Sequence, residues 1–252
     1  MLSRLRVLGP ASVALLASVL VWVAIVTADP LDRLYALNMA TKASILGYLF
    51  IGAAAGAYAA VETGLSRRHA ASRLVDAAGA RPPIVIALRR LAPVLGWFSA
   101  ALVAVISGAT LLGDAPTPLA QVVAITAAAV AALWFAIGMG AVAGRYLPFG
   151  LGPMVGVVST YAVYIPALLS GGRGPIAVVP ILDIHPAPHS LVRPGAYLLG
   201  AGLLAACAIV LVSFAGPQVS HPIIPTVATL AALAATVPLV LVSPHTQEAV
   251  FL

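Results

Sequence analysis

Residues 64–83 read Gly-Leu-Ser-Arg-Arg-His-Ala-Ala-Ser-Arg-Leu-Val-Asp-Ala-Ala-Gly-Ala-Arg-Pro-Pro and interrupt a chain that otherwise consists of long apolar runs. Six of the 13 lysine and arginine residues lie between positions 64 and 90. Of the 252 residues, 62% are hydrophobic and 8% are charged. Because charged residues make up about 25% of a typical soluble domain, this composition predicts a membrane protein with one substantial cytoplasmic loop, residues 63–90.

The apolar runs predict seven membrane-spanning helices. A hydrocarbon core of about 30 Å requires roughly 20 apolar residues in a helix. The predicted spans lie near 11–28, 44–61, 91–112, 119–142, 151–170, 196–215 and 223–242. We therefore expect an all-α bundle that forms a single transmembrane domain over residues 1–252.

The distribution of basic residues predicts the orientation of the bundle. With the amino terminus in the cytoplasm, the inner segments carry nine basic residues and the outer segments carry four. Basic residues resist translocation, so this orientation is favoured and the carboxy terminus is expected outside the cell membrane. The net charge of +6 lies in the connecting segments, so no nucleic-acid partner is predicted. The first apolar run is longer than a signal-peptide core and is expected to be a retained span.

Glycines four residues apart recur in the second, fourth and fifth predicted spans. Small residues at this spacing allow helix backbones to approach closely in lipid. We expect them to form helix-packing faces. The six residues are Gly52, Gly56, Gly140, Gly144, Gly152 and Gly156.

No catalytic constellation is visible in the chain, and it has no phosphate-binding loop of the ATPase type. Asp183, His185 and His189 are metal-ligand types, but Pro186 and Pro188 prevent the helix that would align the two histidines, so an ordinary outer segment is favoured. The predicted spans contain no acidic or basic residue in their interiors, which counts against ion-coupled transport. We therefore expect no catalytic residue, no metal and no cofactor in this chain.

Tyr161 and Tyr164 lie toward the far end of the fifth predicted span. They are candidates to line a translocation path. Tyrosines near a span end more often belong to the interfacial belt, and that interpretation is favoured.

The basic loop is predicted to hold a short separate helix over residues 65–80. Gly64 separates it from the second span, Gly79 suits its end, and Pro82-Pro83 prevents continuation. Charges alone would suffice to fix orientation and to contact anionic lipid, so a separate helix indicates a docking element. The candidate docking residues are Arg67, Arg68, Arg73, Asp76, Arg81, Arg89 and Arg90.

The loop pattern Arg-Arg-x-x-x-x-Arg-Leu-x-Asp-x-x-x-Ala-Arg-Pro, which leads to Leu-Arg-Arg-Leu91, resembles the exporter-type ABC permeases of actinobacteria. The resemblance continues through Ala141-Val-Ala-Gly-Arg-Tyr-Leu-Pro-Phe-Gly150 and the outer segment 171–195, and covers roughly residues 1–215. It implies that residues 63–90 hold a coupling helix that contacts ATPase subunits, which bind ATP and Mg²⁺. It also implies a second permease subunit, identical or homologous. The chain departs from the family in its predicted seventh span and in having only Glu62 and Asp76 as acidic residues near the loop.

Two other functional classes stay open. One is a non-transporting membrane scaffold whose basic loop binds lipid or a cytoplasmic partner without ATP. The other, which is less favoured, is a membrane enzyme that uses the outer segment around His185 and His189.

Overall fold

The computed structural model is a helical bundle. It describes residues 2–27, 36–68, 83–113, 118–148, 150–169, 190–192, 194–215 and 246–248. The helices are α1 (Leu2–Val26), α2 (Ala36–Gly47), α3 (Ala53–Arg68), α4 (Pro83–Leu111), α5 (Leu119–Tyr146), α6 (Leu151–Leu169) and α7 (Pro194–Phe214). A π-helical turn, Tyr48–Gly52, joins α2 to α3 without a break. The prediction of a helical architecture is confirmed.

Four of the described helices are long and apolar enough to cross a membrane, judged by length and composition. Their apolar stretches are Leu8–Val26, Met39–Leu65, Val85–Leu111 and Leu119–Tyr146. A shorter apolar stretch, Gly200–Phe214, lies in α7. These helices indicate a membrane protein. The predicted seventh span, 223–242, lies outside the described residues.

Two predicted boundaries of the basic loop are wrong. Helix α3 runs through Gly64 to Arg68, so the expected break at Gly64 is absent. A glycine inside a helix costs only about 1 kcal/mol relative to alanine, and Gly64 is buried, so packing outweighs the local preference. Helix α4 begins at Pro83 rather than near 91, because proline suits the first helical position, where an N–H would have no partner.

The second span is also longer than the predicted 44–61. Its apolar stretch, Met39–Leu65, includes Lys42 and Glu62, each three residues from an end. Long charged side chains near a helix end reach the polar interface along their apolar stems, so both are compatible with a spanning helix. The absence of charge that we expected therefore holds for the middle of this helix and not for its ends.

Helix α5 lies at the centre of the bundle and packs against α3, α6 and α7. In its apolar stretch 61% of the residues are buried, against 28% in that of α1, which is therefore peripheral. Most of its buried residues are alanine or glycine, so neighbouring backbones come close to it on several sides.

The helices alternate in direction around α5. Helix α3 runs parallel to α5, because Gly56 faces Gly140 and Ala60 faces Gly144 in the same order. Helix α4 runs in the opposite direction, because Phe98 lies beside Tyr58 whereas Leu102, one turn later, lies beside Gly47. The indole Nε1 of Trp134 on α5 donates to Ser99 Oγ on α4 at 2.9 Å.

Helix α1 packs against the bundle at two glycines, each of which contacts an aromatic side chain of the neighbouring helix. A Cβ atom at Gly9 would lie 2.5 Å from the hydroxyl oxygen of Tyr58 on α3. Similarly, a Cβ atom at Gly108 of α4 would lie 2.5 Å from Cζ2 of Trp22 on α1. Each aromatic side chain therefore fills space that only a glycine leaves open.

One short pair of strands accompanies the described helices and was not predicted. Strand β1 (Ser190–Val192) runs antiparallel to β2 (Thr246–Glu248), with Leu191 opposite Gln247. The pair joins the segment immediately before α7 to a segment near residue 248.

The Trp134–Ser99 hydrogen bond generates the first prediction. Ser99→Ala leaves the indole N–H without its partner, so the free energy of unfolding should fall, and we expect the coupling energy between the two side chains to be about 0.6 kcal/mol, the average for interhelical hydrogen bonds in membranes. The measurement is unfolding by sodium dodecyl sulfate in mixed micelles. Trp134→Phe and the double variant complete a mutant cycle, and strictly additive losses would show that the bond contributes nothing.

Candidate functional site

The contact that organises the bundle is a crossing of α3, α5 and α6, here called the glycine crossing. Its residues are Gly56 on α3, Gly140 and Gly144 on α5, and Gly152 and Gly156 on α6. These are five of the six glycines predicted to pack helices.

At the centre of the glycine crossing, Gly56 lies between the two other helices. A Cβ atom at Gly140 would overlap the carbonyl oxygen of Gly56 and lie 2.8 Å from its Cα. A Cβ atom at Gly156 would lie 2.7 Å from the same carbonyl oxygen. The obstructing atoms belong to the backbone and cannot move aside as a side chain does. Each glycine is therefore required by the close approach of two backbones.

The contact continues one turn further along each helix. A Cβ atom at Gly144 would overlap the carbonyl oxygen of Ala60 and the hydroxyl of Thr63. On α6, a Cβ atom at Gly152 would lie 3.1 Å from Gly144 Cα. The glycine crossing thus extends over two turns and holds the three helices along a stripe rather than at a point.

Gly52, the sixth predicted glycine, has a different environment. It is the last residue of the π-helical turn, and a Cβ atom there would lie 3.3 Å from Cδ2 of Tyr48 and 3.7 Å from Cγ2 of Thr160. These neighbours are side chains at nearly ordinary distances. Gly52 therefore borders the glycine crossing without being required by it.

The hydroxyl groups beside the glycine crossing bond within their own helices. Thr63 Oγ1 donates to the carbonyl of Ala59 at 2.8 Å, and Thr160 Oγ1 donates to that of Gly156 at 3.3 Å. Ser159 Oγ also donates to the Gly156 carbonyl, at 3.0 Å. Such groups serve packing, because their donors are already used.

Four of the candidate docking arginines lie on described helices, because α3 ends later and α4 begins earlier than predicted. Arg67 and Arg68 are the last two residues of α3, so they extend the same helix that carries Gly56. Arg89 and Arg90 lie on α4 instead of in a loop; Arg89 is exposed and Arg90 is half-buried. The other three candidates, Arg73, Asp76 and Arg81, lie outside the described residues.

Arg89, Arg90 and Arg145 define one end of the bundle, here called the arginine end. Arg145 is in the last turn of α5, and the parallel register of α3 and α5 places Glu62 at the same level. The opposite direction of α4 brings its first turns, with Arg89 and Arg90, to this end as well. The arginine end therefore carries charged residues from α3, α4 and α5, next to the last residue of α3 and the first residue of α4.

The tyrosines proposed to line a path lie on α6. Tyr161 is half-buried and follows Thr160, whose own side chain is buried against the bundle. The side chain of Tyr164 lies outside the described part of the chain. A path-lining role for either residue stays a prediction.

Two buried polar side chains at the opposite end of the bundle were missed by sequence reasoning. Thr41 on α2 is 5% exposed and Gln121 on α5 is 6% exposed. Thr41 Oγ1 and Gln121 Oε1 are enclosed and find no hydrogen-bond partner in the described part of the chain. We call these two residues the unpaired polar pair. The available signal was the single glutamine inside an otherwise apolar run that begins at Pro118.

The two residues of the unpaired polar pair lie within about one helical turn of each other along two parallel helices. Gly56 faces Gly140 and Ala60 faces Gly144, so a residue of the second span faces the residue 84 positions later in α5. Continued toward the start of α2, this register places Gln121 about one helical turn from the level of Thr41. Helix α2 also packs directly against α5.

The described residues contain no group of three or more histidine, cysteine, aspartate or glutamate side chains that could hold a metal ion. Asp183, His185 and His189 lie outside them. The described geometry is thus a set of packing contacts, with charges gathered at one end and unpaired polar atoms at the other.

The glycine crossing generates the second prediction. Gly140→Ala forces a methyl group against the Gly56 backbone, and we expect the free energy of unfolding to fall by about 1–3 kcal/mol, the usual cost of overpacking. Gly202→Ala on α7 is the matched control, because among the described residues no atom beyond its own stretch of helix backbone lies within 4 Å of its Cβ position. The control should be neutral or stabilising through helix propensity. Equal behaviour of the two variants in detergent unfolding would contradict close packing at Gly140.

The structure brings five predicted glycines together at the glycine crossing and places four predicted arginines on the ends of α3 and α4. It adds two buried polar residues, Thr41 and Gln121.

Compared with models of protein families, with curated proteins and with solved structures, the chain matches none. Its functional assignment therefore depends on its own residues and their geometry.

Proposed function

We propose that the chain is the membrane-spanning permease subunit of an ATP-driven transporter of the exporter type. In this proposal it pairs with a second permease subunit, identical or homologous, to form the translocation path. Two ATPase subunits bind ATP and Mg²⁺ and deliver conformational drive through residues 63–90. The chain itself carries out no catalysis.

The observation that supports this proposal is the continuity of α3 from the arginine end to the glycine crossing. Arg67 and Arg68 are part of the same helix as Gly56, with no break at Gly64. A helix is stiff over this length, so force applied at the basic segment reaches the glycine crossing without a flexible joint between them, and α3, α5 and α6 would move as one unit. A loop that only fixed orientation would need no such connection, since its charges alone would suffice.

The buried residues support an apolar path and an amphipathic or lipid-like cargo. Among the described residues, the buried polar side chains are all uncharged: Thr41, Ser44, Thr63, Gln121 and Thr160. An ion pathway or proton relay through lipid usually contains buried ionisable groups. The cargo we propose is therefore a molecule whose passage does not require a charged site in these helices.

The pairing of β1 with β2 supports seven spans rather than six. Paired strands lie on the same side of a membrane, so the chain between Val192 and Thr246 crosses it an even number of times. In this proposal α7 provides one crossing and the predicted span 223–242 provides the other. With the amino terminus in the cytoplasm, both strands and the carboxy terminus are then outside, as the distribution of basic residues favours.

The third prediction concerns the ATPase contact. Arg73→Glu combined with Arg81→Glu reverses two charges of the basic segment, and we expect the affinity for the proposed partner ATPase to fall at least roughly tenfold, since the new carboxylates would repel the acidic surface that the arginines are proposed to contact. The measurement is co-purification in mild detergent together with ATPase activity in vesicles.

The matched control is Arg33→Glu combined with Arg193→Glu, the same charge change in segments predicted to be outside. It should leave ATPase binding unchanged. If no ATPase co-purifies with the unaltered chain, the scaffold alternative replaces the permease proposal. Equal loss in both double variants would mean that net charge, and not the basic segment, determines the association.

The fourth prediction concerns the two strands. In a Cys207→Ala background, single cysteines at Leu191 and Gln247 should both react with a membrane-impermeant maleimide added to intact cells. A cysteine at Ser66 should react only after lysis, because it adjoins the cytoplasmic segment. Labelling of Leu191 and Gln247 from opposite sides would exclude both the strand pairing in the membrane and the seven-span arrangement.

A further inference from the structure

The second span consists of two halves that have different neighbours. Helix α3 packs mainly against α5 and α6, whereas α2 packs mainly against α4. The π-helical turn Tyr48–Gly52 lies between the halves. Two parts of one helix therefore belong to different packing units and are joined by an irregular turn.

The contacts of the α3 half are rigid. At Gly56 and Gly140, and again at Ala60 and Gly144, backbone atoms meet backbone atoms. Backbone groups within a helix have no rotamers through which to give way. The α3 half cannot separate from α5 by small side-chain adjustments.

The contacts of the α2 half involve side chains that can change rotamer, unlike the backbone contacts of the α3 half. A Cβ atom at Gly47 would meet Cδ1 of Leu102, which is the tip of a flexible side chain. In the same half, Ser44 Oγ donates to the carbonyl of Thr41 at 2.7 Å, so its bond stays within the segment and would move with it. These contacts can be exchanged without distorting a backbone.

Two polar atoms, one on α2 and one on α5, are buried near the contact of these helices and find no partner among the described residues. Thr41 Oγ1 and Gln121 Oε1 are both enclosed and unpaired in the described structure. Burial of an unpaired polar atom opposes the state in which it occurs, because the atom loses its hydrogen bonds to water. Separation of α2 from α5 would restore those bonds for both residues at once.

The π-helical turn has the features of a pivot. π-helical turns are rare and occur frequently at functional sites. Tyr48 and Ile51 within it are 1% and 0% exposed, so the turn is anchored in the core while its backbone is irregular. A bend at this turn would displace α2 without disturbing the glycine crossing.

From these observations we propose that α2, residues 36–47, is a moving segment that swings away from α5 about the π-helical turn and hydrates Thr41 and Gln121 when it opens. The structure is the closed state of this segment. The buried unpaired polar pair destabilises that state, while the glycine crossing fixes α3 throughout the motion. The role of the segment as the outer gate of a permease depends on the proposed function, whereas the motion does not.

The test uses the full chain in maltoside detergent without any ATPase, so its result is independent of the transport proposal. Amide hydrogen exchange is measured over residues 39–47 and over residues 53–63 of the same helix. In the unaltered protein, we expect the first set to exchange at least roughly tenfold faster than the second, because the segment opens locally while the glycine crossing stays intact.

The decisive variant is Thr41→Val combined with Gln121→Leu, which removes both unpaired atoms at similar side-chain volume. We expect exchange over residues 39–47 to slow roughly tenfold, because the closed state no longer buries unpaired polar atoms. Exchange over residues 53–63 should not change. The matched control is Thr126→Val on α5, whose hydroxyl is already satisfied by the carbonyl of Val122 at 2.7 Å.

A second measurement keeps the proposal open to refutation if the double variant folds poorly. Thr41 and Thr63 are both 5% exposed and lie on opposite sides of the π-helical turn. In the Cys207→Ala background, Thr41→Cys should react with a small methanethiosulfonate reagent at least roughly tenfold faster than Thr63→Cys, since only Thr41 lies on the moving segment.

Three outcomes would overturn the proposal. One is equal exchange or equal thiol reactivity on the two sides of the π-helical turn. Another is unchanged or faster exchange in the double variant, which would mean that a buried water satisfies both groups and holds the segment closed. The last is equal slowing in Thr126→Val, which would mean that any loss of a hydroxyl has this effect.

Discussion

The arrangement of the helices depends on the approach of the Gly56 backbone to Gly140 and Gly156. In lipid, apolar side chains gain little by leaving one apolar environment for another, so dispersion and close backbone contact determine which helices associate. Helix α5 can pack against α3, α6 and α7 because its buried surface is mostly alanine and glycine. A bulkier face would contact fewer neighbours at greater distance.

The helical architecture and five of the glycine contacts could be predicted from the sequence, because glycine spacing and apolar length act locally. The continuation of α3 through Gly64 and the position of Arg89 on α4 could not, since packing outweighed the usual signals for a helix end. The sequence of the π-helical turn, Tyr48–Gly52, carries no pattern that predicts a π-helix. Thr41 and Gln121 became a pair only through the register of α2 against α5, which depends on the tertiary contact at Gly56.

The continuity of α3 changes the role of the basic segment. A separate docking helix would transmit force through a flexible joint at Gly64, and part of any displacement would be lost there. An unbroken α3 carries such a force to the glycine crossing, where its backbone packs against α5 and α6. In the proposed transporter, the arginine end is where the ATPase would act, and the buried polar side chains of the described core are uncharged.

The length of α2 is sufficient for a small bend at the π-helical turn to displace Thr41. With a rise of about 1.5 Å per residue, Arg68 lies about 18 Å from Gly56, and Thr41 lies about 16 Å from Gly52. A bend of about 10° at the π-helical turn would therefore move Thr41 by about 3 Å, which is enough to admit a water molecule beside it. The hydration of two unpaired polar atoms then favours the open position once a small bend has occurred.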